Sequence, residues 1–289
     1  AARQVITPSQ DTTRRMAAFA PSANVLTVPL TYSPSAEALA ALQVPALAEG
    51  GNLRNVVLGA LSVIKGADVL EAVALEAAKK GIKIEFHMLG FSYRNLATQP
   101  KAALTVHGAY EEKELPQLLE WINPHLVWFP AQWPETYSYT LSACLLAGLP
   151  VAVPDVGAFA ERVAGRAWSW VRPWDEAPAQ WLQWFAQIRD QHFATGVGPT
   201  PPALPAFVKP LPDFDYRRDY LNGVPDKALP SALPIAVLSQ HATRSTAASG
   251  MRSDALNHLA RLRSMPVFRG VARMIPASTQ RRVKNWLLK

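Results

Sequence analysis

The chain has one cysteine, Cys144, in 289 residues. A lone thiol excludes an internal disulfide framework, and no Cys/His spacing resembles a zinc site. Cys144 falls in an apolar run over 141–149 and reads as a small buried side chain in a reducing compartment. No apolar run reaches the ~20 residues of a bilayer span before Gly, Pro or charge breaks it, and no stretch resembles a signal peptide. G-x-S-x-G, P-loop and H-x-x-H patterns are all missing, so neither a hydrolase elbow nor metal chemistry is indicated. Acids are scarce in one place: residues 241–289 carry ten Lys/Arg against Asp254 alone, a net +9 in a chain of net +7. The rest therefore sums to −2, which argues against the body as a nucleic-acid binder. The first residue is Ala1 rather than Met, so a longer or processed chain is expected.

What is present is apolar and periodic. With 49% hydrophobic and 18% charged residues, the chain can bury a sizeable core. Short apolar runs at 55–58, 83–89, 103–106, 126–129, 150–153 and 168–171 read as strands. Between and after them, helical patterns fall at 67–80, 112–122, 137–147, 159–165 and 177–191. Strands alternating with helices predict an α/β domain: a parallel Rossmann-like sheet with helices on both faces. Ligands of such sheets bind at the carboxyl ends of the strands.

The flanks differ. Residues 5–7, 11–19 and 25–28 predict a strand, a helix and a strand, followed by an Ala-rich irregular stretch. Residues 195–234 hold nine prolines, a density that excludes long helices and central strands and reads as an extended wrap or linker. One helical turn is expected over 216–221 within it, and two short tail helices over 253–264 and 277–288. The expected organisation is an arm over 1–52, the α/β domain over 53–194, a Pro-rich wrap over 195–240 and a basic helical tail over 241–289.

Two segments bear on chemistry. Residues 56–66 read VVLGALSVIKG: a strand running into Gly59, a short loop, then Lys65-Gly66 opening a helix. A lysine there can reach a phosphate, helped by the helix amides, though a solvent-facing Lys beside a turn glycine would look the same. Residues 128–154 read WFPAQWPETYSYTLSACLLAGLPVAVP. Glu135 should stand just before a helix amino terminus, able to accept hydrogen bonds from sugar hydroxyls. The amides of Tyr137, Ser138, Tyr139 and Thr140 should face an anion such as a diphosphate. Equally, Glu135 could be a helix-capping acid, with the tyrosines as packing. Asp155 and Glu161 read better as caps than as donor contacts. Trp168, Trp170, Trp174, Trp181 and Trp184 read as core and edge packing.

Together these segments resemble the carboxyl-terminal domain of family 4 glycosyltransferases, which have the GT-B fold. The family pattern G-R-L-x-x-x-K-G is matched by Gly59, Leu61, Lys65 and Gly66. Its Glu, followed by Ala-Gly-x-Pro, is matched by Glu135 and by Ala147, Gly148 and Pro150. The similarity covers 3–190, includes Val106, His107 and Gly108, and extends to a family-like hinge over 5–30. The resemblance implies that 1–52 is a hinge segment and remnant of an acceptor-side domain, that 53–194 is the nucleotide-sugar-binding domain, and that Glu135 is the catalytic residue. It implies donor binding by Gly59, Lys65, His107, Gly108, Tyr137, Ser138, Tyr139 and Thr140. Two positions depart from the family: its diphosphate-binding Arg is Ala60 here, and its ribose-binding second Glu is Ala143.

The implied activity is retaining transfer of a sugar from a nucleotide-diphosphate sugar to a glycan or lipid-linked acceptor in bacterial surface polysaccharide synthesis. No cofactor beyond the donor substrate is expected. Expected partners are the nucleotide sugar, the acceptor, a missing amino-terminal acceptor domain and no nucleic acid. The alternative is a catalytically degenerate scaffold module. Cytoplasmic location is expected, with contact at the inner membrane face through the tail. There Arg281, Arg282, Lys284 and Lys289 surround Val283, Trp286 and Leu287, a stripe that could instead pack on the body.

Overall fold

The computed structural model of the protein describes residues 4–30, 40–215, 218 and 219. The tail helices and their basic stripe lie outside the described residues, as does all but 218 and 219 of the turn expected over 216–221. The chain divides into two units, Ala1–Phe214 and Asp215–Lys289. The first holds every element discussed below. Among the described residues no helix is long and apolar enough to cross a membrane.

The unit opens with β1 (Val5–Thr7), α1 (Gln10–Phe19) and β2 (Val25–Thr27), a small parallel β-α-β arm. Ser9 starts α1, its side chain accepting from the Thr12 amide. The main sheet comprises β3 (Leu53–Leu61), β4 (Ile84–Ser92), β5 (Leu104–Gly108), β6 (Leu126–Trp128), β7 (Val151–Pro154) and β8 (Ser169–Arg172). The connecting helices are α2 (Ala67–Lys80), α3 (Leu115–Ile122), α4 (Tyr139–Leu146), α5 (Phe159–Val163) and, after β8, α6 (Pro178–Ile188). All six strands are parallel, in the order β5-β4-β3-β6-β7-β8. The predicted parallel α/β domain with helices on both faces is therefore the observed one.

Two strands run further than their apolar runs suggest. β3 and β4 stay paired through Gly59↔Gly90, Ala60↔Phe91 and Leu61↔Ser92. Gly59, expected just past the end of the strand over 55–58, therefore lies within β3. A Cβ on Gly90, whose φ is +133°, would lie 2.0 Å from the Gly59 carbonyl oxygen. Only glycine allows that close approach.

Each face of the sheet has its own core. Phe86, Trp128, Trp181 and Phe185 are buried on the α2/α6 face, with Trp128 and Trp181 ring centroids 4.9 Å apart. Val56, Leu58, Leu119, Val127, Leu141 and Leu145 form the opposite core, under α3 and α4. Cys144 is buried there, its thiol pushed up to about 12 by burial, as the small core residue expected. Of the five clustered tryptophans, four are buried and Trp174 is exposed.

The described Pro-rich residues run without helix or regular strand through Phe214. They strap the arm to the body: Gly165 N–H donates to the Pro202 carbonyl at 2.8 Å, and Lys209 N–H to Gln10 Oε1 at 2.7 Å.

Candidate functional site

The sheet order fixes where a ligand can enter. From β3 the chain builds outward through β4 and β5, then returns to build β6, β7 and β8 on the other side. The crevice outside the carboxyl ends of β3 and β6 is thus the topological switch point, where open parallel sheets take their ligands. Two loops border it, one after each strand.

The loop after β3 carries Lys65, and Gly66 starts α2 with φ +83°. A Cβ at Gly66 would lie 2.0 Å from the Pro130 carbonyl oxygen in the loop after β6. The Gln132 amide donates to the Ile64 carbonyl at 2.8 Å, tying the same two loops. Lys65 Nζ then lies 3.6 Å from Glu135 Oε1, with the lysine half exposed. The two charges singled out in the sequence are brought together, one from each side of the switch point.

Glu135 is fixed from a third loop. A Cβ on Gly157, φ +71°, would meet both the Glu135 amide and its carbonyl at 2.6 Å, and Ala158 N–H donates to that carbonyl at 2.9 Å. Beyond Glu135, Ser138 takes the unusual φ 70°, ψ 92° that turns the chain into α4. Arg162 holds this turn, donating to the carbonyls of Tyr137 and Ser138 at 2.8 and 2.9 Å and to Ser142 Oγ at 2.7 Å. Its guanidinium lies 4.1 Å from the centroid of the Tyr137 ring. Gly157 and Arg162 were not foreseen as site supports. Arg162 contacts backbone carbonyls more than twenty positions away, which leaves no motif in the sequence.

Helix α4 starts at Tyr139, so of the four residues expected to face an anion only Tyr139 and Thr140 belong to its first turn. Tyr137 is buried against Arg162, and Ser138 is nearly buried with its hydroxyl 3.3 Å from that of Thr140. His107 is not among the residues lining the cavity beside the switch point. Its Nε2 is 3.1 Å from His87 Nδ1, and Trp121 meets it edge-on. The ring centroids lie 5.3 Å apart in nearly parallel planes, so this is an edge-to-edge hydrogen bond and not a face-to-face stack. Burial and the second imidazole lower the His107 pKa. Gly108 pairs with Leu89 and Gly90 at the end of β5.

That cavity, of about 850 Å³, is walled by Gly59, Ala60, Gly90, Phe91, Tyr110, Glu112, Tyr139, Thr140, Ala143 and Ala147, among others. Both positions that depart from the family pattern, Ala60 and Ala143, stand on its wall. Among the described residues no Lys or Arg lines it, and Glu112 is the one charged residue that does. Lys65 and Glu135 are not among its lining residues.

Asp155 and Glu161 accept from backbone amides, but only Glu161 does so at a helix start, and neither caps α5, whose N-cap is Ala158 with no side-chain bond. Asp155 Oδ1 takes the Trp174 amide at 3.0 Å, and Glu161 takes the Gln10 amide at the start of α1 at 3.0 and 3.1 Å. Burial raises the Glu161 pKa against the lowering effect of those amides. Glu161 borders a second cavity of about 680 Å³, between the arm, the strap and the body, with Gln10, Tyr137, Arg162, Arg166 and Lys209. Among the described residues no group of three or more His, Cys, Asp or Glu is placed to hold a metal ion.

No protein-family model and no curated protein matches the chain. Solved structures do. The lipopolysaccharide outer core galactosyltransferase WaaB, in its apo form, matches at 12% identity and TM-score 0.48 over 65% of this chain and 53% of its own. Anabaena HepE in complex with UDP-glucose matches at 18% identity and TM-score 0.46, over 67% of this chain and 56% of that one. The pneumococcal O-GlcNAc transferase GtfA in complex with UDP and GlcNAc matches at 14% identity and TM-score 0.43, over 67% and 40%. This chain thus spans roughly half of each, or less.

Proposed function

We propose that the domain binds a nucleotide-diphosphate sugar and serves as the donor half of a glycosyltransferase of the GT-B type. The observation that carries this reading is the meeting of Lys65 and Glu135 at 3.6 Å, one from each loop flanking the switch point, beside a cavity large enough for a nucleoside. In this reading the base and ribose enter the apolar cavity between Phe91, Tyr110 and α4. The diphosphate turns toward Lys65 and the first-turn amides of α4. The donor sugar lies against Glu135, whose carboxylate accepts from its hydroxyls.

Transfer breaks the bond between the anomeric carbon and the diphosphate oxygen and forms one to an acceptor hydroxyl, which gives up its proton. Negative charge grows on the leaving diphosphate. Lys65 and the α4 amino terminus are fixed before reaction and need no reorganisation to stabilise it. Retention, family 4 membership, a glycan or lipid-linked acceptor and a role in bacterial surface polysaccharide synthesis at the cytoplasmic side of the membrane follow the resemblance. So do the partnership with an acceptor domain and the absence of any cofactor besides the donor.

A second reading is favoured by the cavity wall. With Ala60 and Ala143 on it and no Lys or Arg among the described residues that line it, the module would hold nucleotides weakly and act as a scaffold. Thermal-shift titration with UDP, GDP, ADP and their sugars separates the two. A stabilising nucleotide supports the donor domain, and no shift with any of them leaves the scaffold.

A further inference from the structure

The rim around Glu135 exposes large apolar side chains on loops that are held rigidly. Trp133 is 58% exposed and Trp174 41%, although most tryptophans of this body are buried. Trp133 stands two residues before Glu135. The loops bearing the two rings are joined directly, since Gln132 Nε2 donates to the Trp174 carbonyl at 2.8 Å. Asp155 Oδ1 holds the Trp174 amide at 3.0 Å, and the Gln132 amide is anchored on Ile64 at 2.8 Å. Loops after β3, β6, β7 and β8 therefore form one hydrogen-bonded frame, and both rings ride on it. Exposing an indole to water on a fixed frame is unfavourable unless something covers it.

The chemistry beside the rings identifies the cover. Each is bordered by hydrogen-bonding groups: Glu135 and Gln132 near Trp133, Asp155 near Trp174. An apolar protein surface would have to bury the carboxylates of Glu135 and Asp155 here, at a desolvation cost. A pyranose fits better, with a C–H face for an indole and a hydroxyl edge that donates to carboxylates and amide oxygens. Two acids and one lysine on this rim disfavour an anionic sugar. We propose that Trp133 and Trp174 form a stacking platform for a neutral saccharide, which, resting on the donor reading above, is the acceptor glycan. The donor half would then contribute directly to acceptor recognition.

The test is a titration of the full chain followed by the indole N–H signals in NMR, using lactose, cellobiose and glucuronic acid as probes. The variants are W133A, W174A and W133F, with UDP affinity measured in parallel. The neutral disaccharides should move both indole signals, and glucuronic acid should move them less. Each Ala variant should weaken disaccharide binding about three- to tenfold, W133F should retain most of it, and UDP affinity should stay as in the wild type. Saccharide binding without UDP binding would uphold the platform and remove the donor reading. Motionless indole signals at about 0.1 M disaccharide, or unchanged affinity in both Ala variants, would overturn the platform. Equal loss of UDP affinity in both would also overturn it, marking the rings as supports of the fold.

Discussion

The two faces of the sheet are built from the same strands and treated differently. On the α2/α6 face large rings interlock: Phe86, Trp128, Trp181 and Phe185 are all nearly inaccessible, with neighbouring centroids 4.9–6.0 Å apart. On the α3/α4 face the core is aliphatic below, and near the carboxyl ends it gives way to Gly59, Ala60, Gly90, Ala143 and Ala147 around an open cavity. Filled space on one face holds the strands in register, so the other face can leave space without losing the fold. Stability and binding should therefore separate by face.

Trp128→Ala should have the largest effect on stability. It removes a fully buried ring from the closed face, at a cost of about 3–5 kcal/mol. Chemical denaturation should show a lower midpoint, and any nucleotide affinity of the protein that remains folded should be little changed. A cost under about 1 kcal/mol would mean that this face is not the stabilising one.

Gly66→Ala breaks the comparison at its seam, because it strains a left-handed position and drives a methyl into the Pro130 carbonyl. About 2–4 kcal/mol of stability should be lost. Unlike Trp128→Ala, this change should also abolish nucleotide affinity by separating Lys65 from Glu135. A Gly66→Ala protein that binds as the wild type does would uncouple the seam from the site.

Ala143→Glu sharpens the comparison on the open face. A carboxylate reaching a ribose hydroxyl should tighten nucleotide binding by about tenfold, from a charge-assisted hydrogen bond of ~1.5 kcal/mol. Weaker binding by calorimetry would show that the cavity needs the small residue. Stability should be nearly unaffected, since the side chain enters space already open.

The smallest effect concerns pH. His125 is buried, with Nδ1 accepting the Arg54 amide at 2.9 Å and Nε2 left to donate to the Ala46 carbonyl at 3.4 Å. Burial first, then Arg54, lowers its pKa from 6.5. The unfolded chain thus binds the proton more readily, so this contribution is complete above the unfolded value and is lost as pH falls from 6.5 through the folded one. The lowered His107 titrates in the same sense. Melting temperature should decline between pH 6.5 and 5, and His125→Gln, which keeps one donor and one acceptor, should flatten the decline. An unaltered slope in that variant would remove His125 as its source.

Much of the fold was legible because alternating strand and helix periods leave few alternatives. Helix α2 begins and ends where its pattern does, at Ala67 and Lys80, closed by Gly81. What was not legible arises from backbone contacts. Gly59 falls just past the apolar run of 55–58, and only pairing with β4 makes it a strand residue. The α4 start was placed two residues early because Tyr137 and Ser138 look helical until Arg162 claims their carbonyls. Lys65 and Glu135 were visible as types and positions, yet their meeting depends on the strand order. His107 carried no sign that it would turn to His87, a partner twenty positions earlier on the neighbouring strand.

The central claim is that a nucleotide diphosphate binds where Lys65 and Glu135 meet. Isothermal calorimetry of UDP, GDP and ADP against the wild type and Lys65→Ala tests it most directly. At least one nucleotide should bind saturably, and Lys65→Ala should weaken it by ~1.5–3 kcal/mol, roughly ten- to a hundredfold. Equal affinity in the two proteins would contradict the account.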